Sequence, residues 1–252
     1  GFPDFDCDPQ LVRHVTDAMA EGLNQYPPMT GVPALRQVVA KKIEALYGHR
    51  YDADREITVT AGATQALFTA IAAFVGPGDE AIVFEPVYDS YGPAIETVGG
   101  RVRPSRLAFP GYRPDWDHVA SLINPRTRMI VVNSPHNPTG SLLSAADLDT
   151  LAGLVRDTRI VVLSDEVYEH IAFGGRHESL CRHPELAARS LVVSSFGKTY
   201  HITGWKVGYV VAPAALTAEF RKVHQFNVFT VNTPMQHGLA AYMQDAAPYL
   251  DL

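Results

Sequence analysis

Short apolar runs rich in β-branched residues recur along this chain, separated in several places by amphipathic stretches long enough for helices. The runs are Ile57–Ala61, Ala81–Phe84, Arg101–Arg106, Arg128–Asn133, Ile160–Ser164, Leu191–Ser194 and Lys206–Val211. Most are nearly continuous rather than alternating, the pattern of strands buried on both faces. The intervening helical patterns are Ala63–Val75, Tyr88–Val98, Asp115–Ile123 and Ala145–Arg156. Such alternation predicts an α/β protein with a mainly parallel sheet and helices on both sides. Pro9–Gly22 and Pro33–Tyr47 read as helices with a proline near each start, flanking the loop Asn24–Pro33. Leu216–His224 and Pro234–Met243 read as helices at the other end. One large domain is expected, with Gly1–Leu23 leading away from it.

Composition removes several classes of function. The 252 residues are 46% hydrophobic and 19% charged, as in ordinary globular proteins. A net charge of −6 without blocks of like charge argues against nucleic-acid and membrane-surface partners. No apolar run approaches the roughly 20 residues that span a bilayer. Cys7 and Cys181 match no metal spacing and no disulfide framework, so they read as reduced thiols of a cytoplasmic protein. The ten histidines and the acidic residues show no metal-ligand pattern either, and no metal is expected. Because the chain opens at Gly1 without a methionine and stops at Leu252 without a closing element, a fragment is expected.

In open α/β sheets, ligands sit outside the carboxyl ends of the strands. Four expected strands end in polar groups suited to one anionic, aromatic ligand. Gly62-Ala63-Thr64 follows the first strand and opens a helix, where backbone N–H groups and the helix dipole favour an anion. Asn133-Ser134-Pro135-His136-Asn137-Pro138-Thr139-Gly140 follows the fourth. Asp165 ends the fifth, with Tyr168 three residues on; an aspartate there can equally be a helix N-cap. Ser195 and Lys198 follow the sixth, inside Ser194-Ser195-Phe196-Gly197-Lys198-Thr199-Tyr200-His201-Ile202-Thr203-Gly204-Trp205-Lys206-Val207-Gly208-Tyr209.

That last stretch resembles the active-site signature of class I/II aminotransferases, the fold-type-I pyridoxal 5'-phosphate enzymes, and the resemblance extends along essentially the whole chain from Gly1-Phe2-Pro3 onward. It implies a three-layer αβα large domain with a mixed, mainly parallel seven-stranded sheet, spanning residues 24–252. Residues 1–23 would lead from a small domain that is largely missing here. Lys198 would hold the cofactor aldehyde as an imine and, once displaced, move the substrate proton. Asp165 would keep the ring nitrogen protonated. Tyr168 and Asn137 would bind the ring hydroxyl oxygen, and Asn137 the substrate carboxylate as well. Asn133 belongs to the same loop and is carried with it into the cofactor site.

Tyr88 would cover the pyridine face and border the substrate, unless it is a plain core aromatic. Gly62, Ala63, Thr64, Ser195 and Lys206 would hold the phosphate. Many members have arginine where Lys206 stands, so here a point charge replaces a bidentate grip. Tyr26, in Asn24-Gln25-Tyr26-Pro27-Pro28-Met29-Thr30-Gly31, would reach the phosphate of a neighbouring subunit and make the enzyme a homodimer with a shared site; the alternative is a surface tyrosine. His136 and His201 either border the substrate or are structural. Glu166 is given no catalytic role. The resemblance also implies cis bonds at Asn137–Pro138 and Glu85–Pro86.

Within that family, Gln25–Gly31 and Gly197–Gly208 are similar to bacterial methionine aminotransferases, in the branch of the kynurenine and glutamine aminotransferases. The implied substrates are methionine, together with other large apolar or aromatic amino acids, and a 2-oxo acid. The arginine that clamps the substrate carboxylate in the family finds no counterpart here. Two other readings stay open: β-elimination from cysteine conjugates on the same scaffold, and a non-catalytic cofactor-binding sensor domain of a transcriptional regulator.

Overall fold

The computed structural model describes residues 3–173 and 175–245; Gly1, Phe2 and residues 246–252, which the sequence reading included in the leading segment and the domain, lie outside the described residues. Seven strands form one sheet: β1 (Ile57–Thr60), β2 (Glu80–Glu85), β3 (Arg101–Arg106), β4 (Thr127–Asn133), β5 (Val161–Asp165), β6 (Ser190–Ser195) and β7 (Gly208–Val211). Ten helices accompany them: α1 (Pro9–Ala20), α2 (Pro33–Tyr47), α3 (Gly62–Phe74), α4 (Tyr91–Thr97), α5 (Trp116–Leu122), α6 (Ala145–Val155), α7 (Pro184–Ala187), α8 (Phe196–Thr199), α9 (Ala214–Asn227) and α10 (Thr233–Asp245), counted among the described residues.

The strand order is β1-β7-β6-β5-β4-β2-β3. The pairs from β6 through β5, β4 and β2 to β3 are parallel, whereas β7 runs antiparallel to both β6 and β1. This is the expected mixed, mainly parallel seven-stranded sheet. Its two faces bury opposite members of each strand, as the period of two requires. Ile82, Phe84, Ile130, Val132, Val162 and Val192 pack with Leu35, Val39, Leu148 and Leu151 of α2 and α6. On the other face Ala81, Val83, Met129, Val131, Leu163 and Val193 pack with Leu67, Ile71, Ile95 and Phe220 of α3, α4 and α9. Each such large side chain contributes roughly 1.5–3 kcal/mol by leaving water, so the three layers hold by area rather than by any single contact. Helix α1, inside the segment read as leading away, packs against α10 and buries Leu11, Val15 and Ala18.

Differences from the expected elements gather at strand ends. β7 begins at Gly208 instead of Lys206, because Lys206 closes a 3₁₀ turn in the left-handed region at φ 54°. α4 begins at Tyr91, leaving Tyr88 in the preceding loop. β1 stops at Thr60, and Ala61 becomes the residue before α3. The four-residue α8, which carries Lys198, falls in a stretch too short for periodicity to reveal. Four X–Pro bonds are cis among the described residues: the two expected, and also Phe109–Pro110 and Ser134–Pro135.

Candidate active site

Loops at the carboxyl ends of β1, β2, β4, β5 and β6 meet around a cavity of about 230 Å³. Its lining includes Gly62, Ala63, Thr64, Tyr88, Asn137, Asp165, Tyr168, Ser195, Lys198 and Lys206. Residues drawn from more than a hundred positions of chain therefore converge as the strand-end rule requires.

One end of the cavity is suited to an anion. α3 points its N-terminus there, and Gly62 takes φ +75°, a conformation that favours glycine. A Cβ on Gly62 would lie 3.3 Å from Lys206 Cε and 3.4 Å from Nζ, so the lysine ammonium lies over the bare glycine. Gly208 permits a second close approach: its Cβ would stand 2.8 Å from the Ser194 carbonyl and 3.1 Å from the Ala63 nitrogen. The result is a cradle of backbone N–H groups with a cation beside it, matching a phosphate. Ser195 lines the same region, and its hydroxyl accepts from the Gly197 N–H at 3.0 Å, capping α8.

Lys198 leaves α8 toward the cavity, its Nζ 5.7 Å from the centre of the Tyr168 ring. Burial first, and the Lys206 ammonium second, hold its amine below the usual lysine range. A larger neutral fraction is what an attacking amine needs.

Asp165 lines the cavity as a buried carboxyl. Its Oδ2 accepts from the Tyr91 hydroxyl at 2.6 Å, and its Oδ1 accepts from the Val167 N–H at 3.2 Å. The helix N-cap alternative does not hold, since a turn and not a helix follows Asp165, although one of its oxygens does accept from that turn. Burial pushes the carboxyl up to about 6, against the opposing hydrogen bonds from Tyr91 and Val167. Without a bound cation the folded protein keeps a proton on Asp165 that an unfolded chain releases near pH 4. Stability then falls as pH rises from about 4 through about 6, by up to about 3 kcal/mol. The expected result is a decline in urea midpoint across that window that is smaller in Asp165→Asn; equal declines would show that Asp165 is not the group responsible.

Other expected residues fall elsewhere. Asn133 does not line the cavity: its Nδ2 donates to the Asp165 carbonyl at 2.8 Å and its Oδ1 accepts from the Asn137 N–H at 2.7 Å. It braces two cavity residues through their backbones. His136 is buried beside a separate small cavity, 2.8 Å from Thr139 Oγ1, and burial holds its imidazole below the usual range. His201 lies 5.5 Å from the Phe5 ring and is not among the cavity residues. Tyr26 is 82% exposed, its ring edge against Phe229 at 5.5 Å. Glu166 accepts from Ser164 Oγ at 2.8 Å and from the Leu180 N–H at 3.0 Å, and pairs with His177 at 2.9 Å.

Sequence reasoning passed over Tyr91, Thr203, Gly208 and the buried Lys42–Glu169 pair. Thr203 and Gly208 stood inside the quoted signature; Tyr91 stood three residues after Tyr88, but an assumed helix hid the role of its hydroxyl. Among the described residues no helix is long and apolar enough to cross a membrane, and no cluster of histidine, cysteine, aspartate and glutamate could hold a metal.

A family model for aminotransferase class I and II matches residues 1–251. The chain is 54% identical to the methionine aminotransferase of Escherichia coli, over 95% of this chain and 62% of that protein. It is 38% identical to a probable N-succinyldiaminopimelate aminotransferase of Mycobacterium tuberculosis, over 95% of this chain and 61% of that one. Among solved structures, YbdL from Escherichia coli, identified with a methionine aminotransferase function, superposes with a TM-score of 0.98 at 51% identity, over 99% of this chain and 66% of that one. Bna3p of Saccharomyces cerevisiae, described as a putative kynurenine aminotransferase, superposes with a TM-score of 0.94 at 30% identity, over 100% of this chain and 63% of that one. The chain thus spans somewhat less than two thirds of the relatives it matches.

Proposed function

Because the chain belongs to the class I and II aminotransferases, we propose that it forms the cofactor-binding part of an enzyme that moves the amino group of methionine, and of other large apolar or aromatic amino acids, to a 2-oxo acid. The observation that carries this reading is that Lys198 and Asp165 line one cavity together with the anion cradle at Gly62 and Lys206. Those residues fit pyridoxal 5'-phosphate, the cofactor on which enzymes of this class depend.

When bound, that cofactor supplies an electron sink for charge developing at the substrate α-carbon. The protein's part is to hold and to move protons. Gly62, Ala63, Thr64, Ser195 and Lys206 would hold its phosphate. Asp165 would pair with its ring nitrogen, Tyr168 and Asn137 with its ring oxygen, and Tyr88 would cover one face. Lys198 would tether it covalently and, when freed by a substrate amine, would take the α-carbon proton and return it one position along. A depressed lysine pKa serves both tasks, since the amine must be neutral to attack and to accept.

The exposed aromatic pair of Tyr26 and Phe229 supports a homodimer in which Tyr26 serves the partner's phosphate end. The free cysteines support a cytoplasmic location.

The test is direct. Protein mixed with the cofactor should retain it covalently after borohydride reduction, with the label on Lys198, and methionine should discharge the visible band until a 2-oxo acid restores it. Failure to retain cofactor would end the reading. Release of pyruvate and ammonia from a cysteine conjugate without any oxo acid would replace it with β-elimination.

A further inference from the structure

We propose that Tyr91 is a positioning residue that fixes the Asp165 carboxylate against the ring nitrogen of the bound cofactor; the inference rests on the function proposed above. Its hydroxyl donates to Asp165 Oδ2 at 2.6 Å, and both residues are buried, Tyr91 at 3% exposure and Asp165 at 5%. The Val167 N–H takes the other oxygen at 3.2 Å. A planar carboxylate held at both oxygens cannot swing about its last torsion, and its unused lone pairs stay aimed into the cavity it lines.

The same short stretch of chain supplies two functions. Tyr88 lines the cavity from the loop before α4, and Tyr91 opens α4 with its ring edge-on to Tyr88, 5.6 Å apart at 75°. Movement of this stretch would displace the aromatic cover and the carboxylate's anchor together. Burial, followed by the neighbouring Asp165 charge, raises the Tyr91 phenol well above its ordinary range, so it remains a donor at every working pH. A donor on the charged form also favours the carboxylate over the neutral acid. That is the state a protonated ring nitrogen needs opposite it. Tyr91 touches neither substrate nor cofactor in this scheme; it acts through Asp165.

The experiment compares wild type with Tyr91→Phe for binding of pyridoxal 5'-phosphate and of its 1-deaza analogue, whose ring nitrogen is replaced by carbon. The variant should bind the natural cofactor about tenfold more weakly, the scale of a lost hydrogen bond to a charged group, and the analogue as wild type does. Equal losses for both ligands would reduce Tyr91 to packing and overturn the proposal, as would no loss for either. Wild type that fails to retain the cofactor would instead sink the function on which the inference rests. A second probe covers poor folding of the variant: 3-fluorotyrosine at position 91 keeps the ring and its O–H while changing the donor's acidity. With cofactor labelled by nitrogen-15 in the ring, that substitution should move the ring-nitrogen resonance; an unmoved resonance overturns the proposal.

Discussion

Lys198→Ala is expected to abolish covalent retention of pyridoxal 5'-phosphate and to lower transamination by on the order of 10⁴-fold, the upper range for a positioned proton-transfer group. Two properties are lost at once, the attacking amine and the group that carries the α-proton. Lys198→Arg separates them from charge: arginine keeps a cation in the cavity but never becomes the neutral amine that attack demands. It should therefore be as inactive as alanine while retaining more cofactor non-covalently. The measurement is borohydride fixation followed by peptide mapping, alongside turnover of methionine. Lys206 makes the mapping decisive, because it is the other lysine among the cavity residues. Fixation at Lys206 in the wild type, or an alanine variant with substantial turnover, would refute the assignment.

Lys42→Met is expected to destabilise the fold by about 3–5 kcal/mol near neutral pH, the cost of stripping a buried carboxylate of its partner. Lys42 Nζ lies 2.6 Å from Glu169 Oε1 and 2.8 Å from the Tyr209 hydroxyl. The Glu169 side chain is 2% exposed and that of Lys42 10%. Burial would raise the Glu169 carboxyl, but Lys42, His170 and hydrogen bonds from Lys42 and Ser194 pull it well below its usual range. A depressed carboxylate contributes its full stabilisation above its unfolded pKa of about 4.3 and loses it as pH falls through the folded value. Without Lys42 the sign reverses: burial then raises the carboxyl, and stability should fall as pH rises. Urea unfolding at several pH values reads both effects. Lys42→Met combined with Glu169→Gln should regain much of the loss, because no unpaired charge remains; an additive double variant would show that the two groups are not coupled.

This pair bears on the site as well as on stability. Glu169 follows the turn that carries Tyr168, and it accepts hydrogen bonds from Ser194, next to Ser195, and from Tyr47 of α2. One buried carboxylate thus binds together α2, the turn after β5 and the end of β6. Binding site and core share a polar joint.

The sheet was readable from the chain because its strands are buried on both faces, and such runs announce themselves without help from periodicity. Strand ends were less readable. Lys206 sits in a valine- and tyrosine-rich neighbourhood that reads as strand, yet its backbone is left-handed so that the ammonium can lie over Gly62. Tyr88 reads as the first turn of a helix, and placing its ring at the cavity requires a loop instead. Lys198, Asp165, Tyr168 and Asn137 were legible through the family signature. The signature does not say what holds them. Tyr91 reaches Asp165 across 74 positions, and Lys42 reaches Glu169 across 127. Local spacing carries no trace of such partners; they exist only after the strands have been laid in order.

The single reversed strand has a consequence for how the site is assembled. Since β7 runs against β6, the link between them starts and finishes at the same rim of the sheet. That one short connection delivers both lysines of the cavity, Lys198 and Lys206. In an all-parallel sheet the next strand would start at the far rim, and a separate segment would have to provide the second cation. Here the separation of the two amines is set by one uninterrupted stretch of backbone, whatever the packing of the surrounding helices.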